Sequence, residues 1–211
     1  MKKFLIITLI TFNILNASTL EDLNITDDDF LKISHSSKKN IIFDRINELM
    51  ILKKSLKDVD NDIIKLTSVN NFFNDYHYKT DDKLYKKADY WATRKEFVFK
   101  GAGDCEDFAI AKFFTLIELG VSEDKLSLLH GIYNDQYHIV LAYQKEQFDD
   151  TLILDSLNKK IQPLSKRNDI LILYTLETVD LKNSSVVKTD LRYLNNYKWT
   201  EIYLKSKSLV N

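Results

Sequence analysis

Apolar side chains along this chain recur first with the period of a helix and then with the period of a strand. Ile42, Ile46, Met50 and Leu52 set a helical spacing across Ile41–Leu56, and a second helix is predicted over Asp60–Tyr76. Phe108–Leu119 reads as a third, apolar helix, closed by Gly120 at the C′ position. Beyond it the runs Leu126–Tyr133, Tyr137–Tyr143, Thr151–Asp155 and Ile170–Thr175 are short, β-type and separated by polar turns. The tail Arg192–Lys205 carries Tyr193, Tyr197, Trp199, Ile202 and Tyr203 at positions that fit a strand or a helix. Ser18–Lys39 is polar and mixed, and is expected to be a loosely attached entry segment. Thr80–Lys87 is charged and reads as a link, whereas Tyr90–Thr93 and Phe97–Phe99 are aromatic and lead into a glycine turn. The order predicts an α+β fold: helices first, a central helix, then an antiparallel sheet packed on it.

Composition narrows this to one domain. With 211 residues, 45% hydrophobic and 29% charged, the chain can bury a substantial core. Lys2 and Lys3 followed by the apolar run Phe4–Leu15 and the small-residue site near Ala17 predict a secretory signal peptide at 1–17, cleaved after Ala17 or Ser18. The alternative is an uncleaved anchor, against which the short apolar run argues. A single domain over 18–211 remains, with a helical part at about 40–120 and a β part at about 125–205. Removing two lysines and no acids takes the net charge from -1 to -3. No basic surplus is left to attract nucleic acid or an anionic membrane. The export signal implies a periplasmic location with no stable membrane insertion after cleavage.

Cys105 is the only cysteine, so multi-cysteine zinc sites and Cys-x-x-Cys redox motifs are excluded. In an oxidising compartment it is buried and inert, paired with another molecule, or a working thiol. Its place favours the last reading. It follows Gly101 and Gly103 directly ahead of the third helix, where the macrodipole favours a thiolate.

A nucleophilic thiolate needs a base, and the base needs an orienting partner. Of the four histidines, His35 and His77 fall in polar or helical stretches and His130 in an apolar run, the pattern of a core or edge histidine. His138 begins the run Tyr137–Tyr143, and alternation places it on one face with Val140 and Ala142. Those small neighbours leave room for a helix terminus to approach. Asp155 ends the next strand, where it can lie beside His138 or serve as a turn residue. Cys105, His138 and Asp155 are therefore the candidate catalytic residues. The backbone N–H of Cys105 is a candidate oxyanion donor. Trp91 reads either as a core tryptophan or as a contact beside the nucleophile loop.

Tyr90-Trp91-Ala92-Thr93, Gly103-Asp104-Cys105-Glu106-Asp107-Phe108-Ala109-Ile110-Ala111-Lys112, His138-Ile139-Val140-Leu141-Ala142 and Leu152-Ile153-Leu154-Asp155-Ser156-Leu157 resemble the bacterial transglutaminase-like cysteine proteinases, in their LapG-type periplasmic branch. The resemblance implies a papain/transglutaminase-like fold and a Cys105–His138–Asp155 triad that cuts a peptide bond through a thioester. It also implies a substrate, a large repetitive surface adhesin cut near its N-terminus, which would promote biofilm dispersal. The partner it implies is an inhibitory inner-membrane receptor for cyclic di-GMP. One departure is visible: Arg94 stands where many members carry a proline, in a stretch expected near the cleft.

Asp104, Glu106 and Asp107 surround the nucleophile, and three carboxylates there oppose a thiolate. Helix capping accounts for one acid but not for three. Bound Ca²⁺ would reverse the electrostatics, since hard oxygen donors suit it. The family resemblance implies calcium dependence, with Asp104, Glu106 and Asp107 as candidate ligands. Two further readings stay open: an acyl transferase or amidase on the same scaffold, and a catalytically inactive calcium-binding interaction module.

Overall fold

A computed structural model describes Leu23 and residues 25–147, 149–178 and 191–207; the predicted signal peptide lies outside them. Thr26 opens helix α1 (Asp27–Ser34) with a capping box: Oγ1 accepts the Asp29 N–H at 3.1 Å, and Asp29 accepts the Thr26 N–H at 3.0 Å. Leu23, Ile25 and Ile33 are buried in the main core. The described part of the expected loose entry segment is therefore packed, held by an apolar anchor on either side of the cap.

Helices α2 (Lys39–Leu56) and α3 (Asp62–Asn74) agree with the predicted pair to within two residues at each end. They bury Ile42, Ile46 and Leu49 from α2, and Leu66, Val69 and Phe73 from α3. The chain then passes through β1 (His77–Tyr78), α4 (Asp81–Leu84), α5 (Arg94–Lys100) and β2 (Ala102–Gly103) into the central helix α6 (Cys105–Glu118). Helix α6 begins three residues earlier than apolar spacing suggested, because its first turn is acidic rather than apolar. A Schellman motif ends it: Gly120 (φ 81°) donates to Ile117 O at 2.8 Å and Val121 to Leu116 O at 3.0 Å.

The strands β3 (Leu126–Tyr133), β4 (Gln136–Tyr143), β5 (Leu152–Leu154), β6 (Gln162–Pro163) and β7 (Ile170–Thr175) form one sheet in the order β6-β5-β4-β3-β7, antiparallel throughout. Asn134 and Asp135, both with positive φ (47° and 61°), make the two-residue turn between β3 and β4. The tail is helix α7 (Leu191–Lys207), which corrects its inclusion in the β part. Asn195, Trp199 and Ile202 are buried at helical spacing, and Trp199 meets Phe113 of α6 edge-on at 5.1 Å.

Helix α6 is the centre of the fold. Every residue from Cys105 to Leu116 is buried, as expected for a helix packed on all sides. Ile139, Leu141 and Tyr143 of β4 share its core, while Val140 and Ala142 belong to a second cluster with Leu129, Ile153 and Ile170. The helix thus lies on the bulky face of β4, not on the small-residue face anticipated for it. Larger side chains remove more apolar area from water there. No helix among the described residues is long and apolar enough to cross a membrane.

Candidate active site and cation site

The approach to Cys105 depends on two glycines. Gly101 ends α5 in the left-handed region (φ 63°), and a Cβ there would lie 2.1 Å from the Arg45 guanidinium carbon. Arg45 also donates to Phe99 O at 3.0 Å, so its place is occupied by design of the turn. A Cβ on Gly103 would come 2.4 Å from an Asp107 carboxylate oxygen. Between them β2 pairs with β1, Tyr78 opposite Gly103, which sets the direction in which α6 begins.

Cys105 occupies the first helical position of α6, with Asp104 at the cap. Strand β5 pairs with β4 only over Leu141–Tyr143, so Ile139 lies beyond its end, where its backbone N–H favours the Cys105 thiolate. The thiol donates to Glu106 Oε2 at 3.1 Å. Burial, then the Glu106 charge, push the thiol well above its ordinary value, and the Ile139 N–H opposes them. The conflict between acids and thiolate seen in the sequence is therefore physical.

On the neighbouring residue of the same strand, His138 Nε2 lies 2.8 Å from Asp155 Oδ1. An ionised carboxylate can only accept, so Nε2 carries a hydrogen, and in the neutral imidazole Nδ1 is the nitrogen with the lone pair. Asp155 is held from every side. Oδ1 also accepts the Leu157 N–H at 2.9 Å, and Oδ2 accepts Arg167 Nη2 at 2.7 Å. Its main-chain oxygen accepts Asn74 Nδ2 at 2.8 Å and Lys112 Nζ at 3.2 Å. Burial disfavours the Asp155 charge, but His138, the Leu157 N–H and Arg167 outweigh it and hold the carboxyl at about 2. Burial likewise lowers the buried Lys112 to about 7.

The other histidines fall elsewhere. His130 is buried on the inner strand β3, stacked on Tyr174 at 4.8 Å, and burial lowers its pKa. His35 caps the end of α1 and His77 is exposed on β1. Trp91 is buried in the core. Arg94 turns away from the cleft: it is buried and paired with Glu118 at the opposite end of α6, roughly 20 Å from Cys105 at 1.5 Å per residue. It occupies the first position of α5, where a proline also fits without loss of a hydrogen bond.

The acids divide into two overlapping groups. Oxygens of Asp81, Asp104 and Asp107 lie within 4.8 Å of one another, as do those of Asp81, Asp89 and Glu106. Asp104 makes no side-chain cap to α6, so capping does not explain it. Asp81 Oδ1, Asp104 Oδ1 and Asp107 Oδ2 are buried without a hydrogen-bond partner. The second oxygens of Asp81 and Asp107 are fixed by the N–H groups of Tyr90 and Ala92, the latter at 2.8 Å. Burial, reinforced by neighbouring carboxylates, raises the pKa of Asp104, Glu106 and Asp107, and burial raises that of Asp81. Converging, orphaned carboxylate oxygens with no nitrogen or sulfur donor fit a hard divalent cation such as Ca²⁺. Asp81 and Asp89 were missed from the sequence, where they sit in a charged stretch that resembles any solvated link.

Comparisons with known proteins show what the chain is similar to. Residues 47–173 match the family described as bacterial transglutaminase-like cysteine proteinase (BTLCP). Legionella pneumophila LapG is 32% identical, with a TM-score of 0.67, and the match covers 89% of this chain and 97% of that one. Its EGTA-treated form matches equally, at 32% identity, TM-score 0.67 and the same coverage. Its calcium-bound form is 34% identical, with a TM-score of 0.64, covering 78% of this chain and 91% of that one. No curated protein matches the chain. The chain belongs to the bacterial transglutaminase-like cysteine proteinases.

Proposed function

We propose that this LapG-like proteinase is a calcium-dependent periplasmic endopeptidase whose working residues are Cys105, His138 and Asp155. The observation that carries the reading is the junction at the start of β4. There His138 is locked to Asp155 through Nε2, and the backbone N–H of the adjacent Ile139 favours the Cys105 thiolate. Cys105 attacks the scissile carbonyl and forms a thioester. His138 takes the thiol proton and gives it to the leaving amine, using the nitrogen that Asp155 leaves free. Asp155 fixes the tautomer and stabilises the imidazolium. The Cys105 N–H, at the first position of α6 where the helix offers it no acceptor, faces the developing oxyanion. Water then hydrolyses the thioester.

Asp81, Asp104 and Asp107, with Asp89 and Glu106 in reach, would hold the calcium ion. When bound, the ion supplies the positive charge that keeps these acids ionised and makes a thiolate tolerable beside them. The orphaned oxygens and a calcium-bound homologue support this reading. The family resemblance implies a large repetitive surface adhesin as substrate, cut near its N-terminus to release it and disperse a biofilm. It also implies inhibition by an inner-membrane cyclic di-GMP receptor.

The test combines the purified protein with the N-terminal region of such an adhesin, Ca²⁺ and an amine donor. Cleavage by the native protein, and none by Cys105→Ala or in EGTA, supports the reading. Stable amine adducts would point instead to an acyl transferase. A Cys105 that alkylates no faster than a free thiol, with no cleavage, would leave an inactive calcium-binding module. Replacing His138 or Asp155 by Asn is expected to lower kcat by about 10²- to 10⁴-fold.

A further inference from the structure

Behind the His138–Asp155 pair lies a buried charge that this mechanism does not use. Arg167 follows the 3₁₀ turn Leu164–Lys166 and is only 2% exposed. The pairing of β6 with β5, Leu152 opposite Pro163 and Ile153 opposite Gln162, folds this segment beneath the end of β5. Its Nη2 donates to Asp155 Oδ2 at 2.7 Å, with the two side chains 1% and 0% exposed. Its Nε donates to Asp169 Oδ1 at 2.9 Å and Nη2 to Asp169 Oδ2 at 3.0 Å, on a side chain that is 44% exposed.

Burying a guanidinium is unfavourable, and an apolar residue of similar size commonly serves stability as well. A chemical purpose accounts better for its place. We propose that Arg167 is a positioning residue for the cysteine-protease reaction, orienting the Asp155 carboxylate toward His138 and balancing its charge throughout the proton cycle. This rests on the proteinase reading above.

The argument follows the charges. While His138 is neutral, a buried Asp155 carboxylate facing it would have no ionic partner on that side. The pair would then favour a proton, and His138 would become a poor acceptor for the thiol and a poor donor to the amine. Arg167 is charged at any working pH, so Asp155 is compensated whether His138 is imidazole or imidazolium. Its Nη2 also fixes Oδ2, which leaves Oδ1 for the imidazole N–H. The Leu157 N–H also reaches Oδ1 at 2.9 Å, while Asn74 and Lys112 donate to the main-chain oxygen. Asp169 faces Arg167 from the solvent side. Among the described residues, Arg167 and His138 are the side chains that hydrogen-bond the Asp155 carboxylate, and Arg167 is the one with a permanent charge.

The test uses the full chain with Arg167→Lys, Arg167→Met and Asp169→Asn. Arg167→Met keeps bulk but no charge, and should lower kcat by about 100-fold with KM within about twofold. Arg167→Lys should keep kcat within about tenfold of the native value. Proton NMR supplies a readout that needs no substrate: the downfield His138 Nε2–H resonance, assigned by its loss in Asp155→Asn, should survive in Arg167→Lys and be lost or shifted in Arg167→Met. Equal kcat in the Lys and Met variants, with an unchanged resonance, would overturn the inference. If Arg167→Met does not fold, Asp169→Asn removes the outer charge and one of the two oxygens that accept from Arg167. It should lower kcat about threefold or more and shift the same resonance; no change in either would also overturn the inference. A native protein that cuts no adhesin defeats the proteinase reading, while the resonance still tests the link from Arg167 to His138.

Discussion

Gly103 lies directly against Asp107: a Cβ on the glycine would sit 2.4 Å from the carboxylate oxygen and 2.7 Å from the Asp107 Cβ. The second contact is not with the flexible end of a side chain, so an added methyl has to displace α6 or the carboxylate. Gly103→Ala is expected to cost about 1–3 kcal/mol of stability. Because the Asp107 oxygen nearest it is one of the orphaned acceptors, calcium affinity should also fall. Thermal melts and calcium titrations of the same variant measure the two effects. An unchanged affinity would show that Asp107 does not hold the ion.

Asp81 provides a sharper test of the cation site, since it belongs to both acidic groups yet lies far from Cys105 in sequence. Asp81→Asn should weaken calcium binding about 10-fold or more while kcat at saturating calcium stays close to the native value. Isothermal titration gives the affinity, and activity over a range of free calcium gives the midpoint. In chelator the native protein should be less stable as well as inactive, because ligand binding stabilises the folded state.

Lys112 predicts a particular pH dependence of stability. Its amine is lowered to about 7 in the folded protein, against an ordinary value of 10.5. Between those values the unfolded chain binds the extra proton and the folded chain does not, so this residue makes stability rise with pH over that window. The contribution to the slope is at most about 1.4 kcal/mol per pH unit. Lys112→Met should flatten the curve by that amount between pH 7.5 and 10 (roughly the interior of the window). Urea unfolding at several pH values measures it; an identical slope in both proteins would mean that the buried amine stays charged.

Arg94 separates the scaffold from the site. Arg94→Pro suits the first position of α5 but removes the fork on Glu118, which also pairs with Lys53 at 2.8 Å. Losing one partner of a largely buried ion pair should destabilise the protein by about 1–3 kcal/mol. With the site roughly 20 Å away at the other end of the helix, kcat and KM should remain within about twofold at 25 °C. A selective rise in KM would place Arg94 in substrate contact after all.

Two helices that apolar spacing did not reveal were nevertheless announced by chemistry. Thr26 with Asp29 and Thr93 with Glu96 are capping boxes in which both reciprocal bonds form. Short helices have too few turns to display a period, so the cap is the stronger signal. The tail was ambiguous because the aromatic residues there suit either period. Docking of Trp199 on Phe113 and Phe114 selects the helix.

By itself, the sequence determined the α+β order, the central helix with its Gly120 stop, most strand positions and the three residue types for acyl transfer in their chain order. These depend on local period, on backbone freedom at particular residues and on motifs a few residues long. Only the tertiary structure decided that Asp81 and Asp89 join the acids near Cys105, that Arg94 leaves the cleft, and that Arg167 reaches Asp155. Each of those is a meeting of charged groups distant in sequence, and a charge in a polar stretch carries no local sign of its partner. Whether it faces water or a buried counter-charge is settled by which elements pack over it, and that depends on the whole chain.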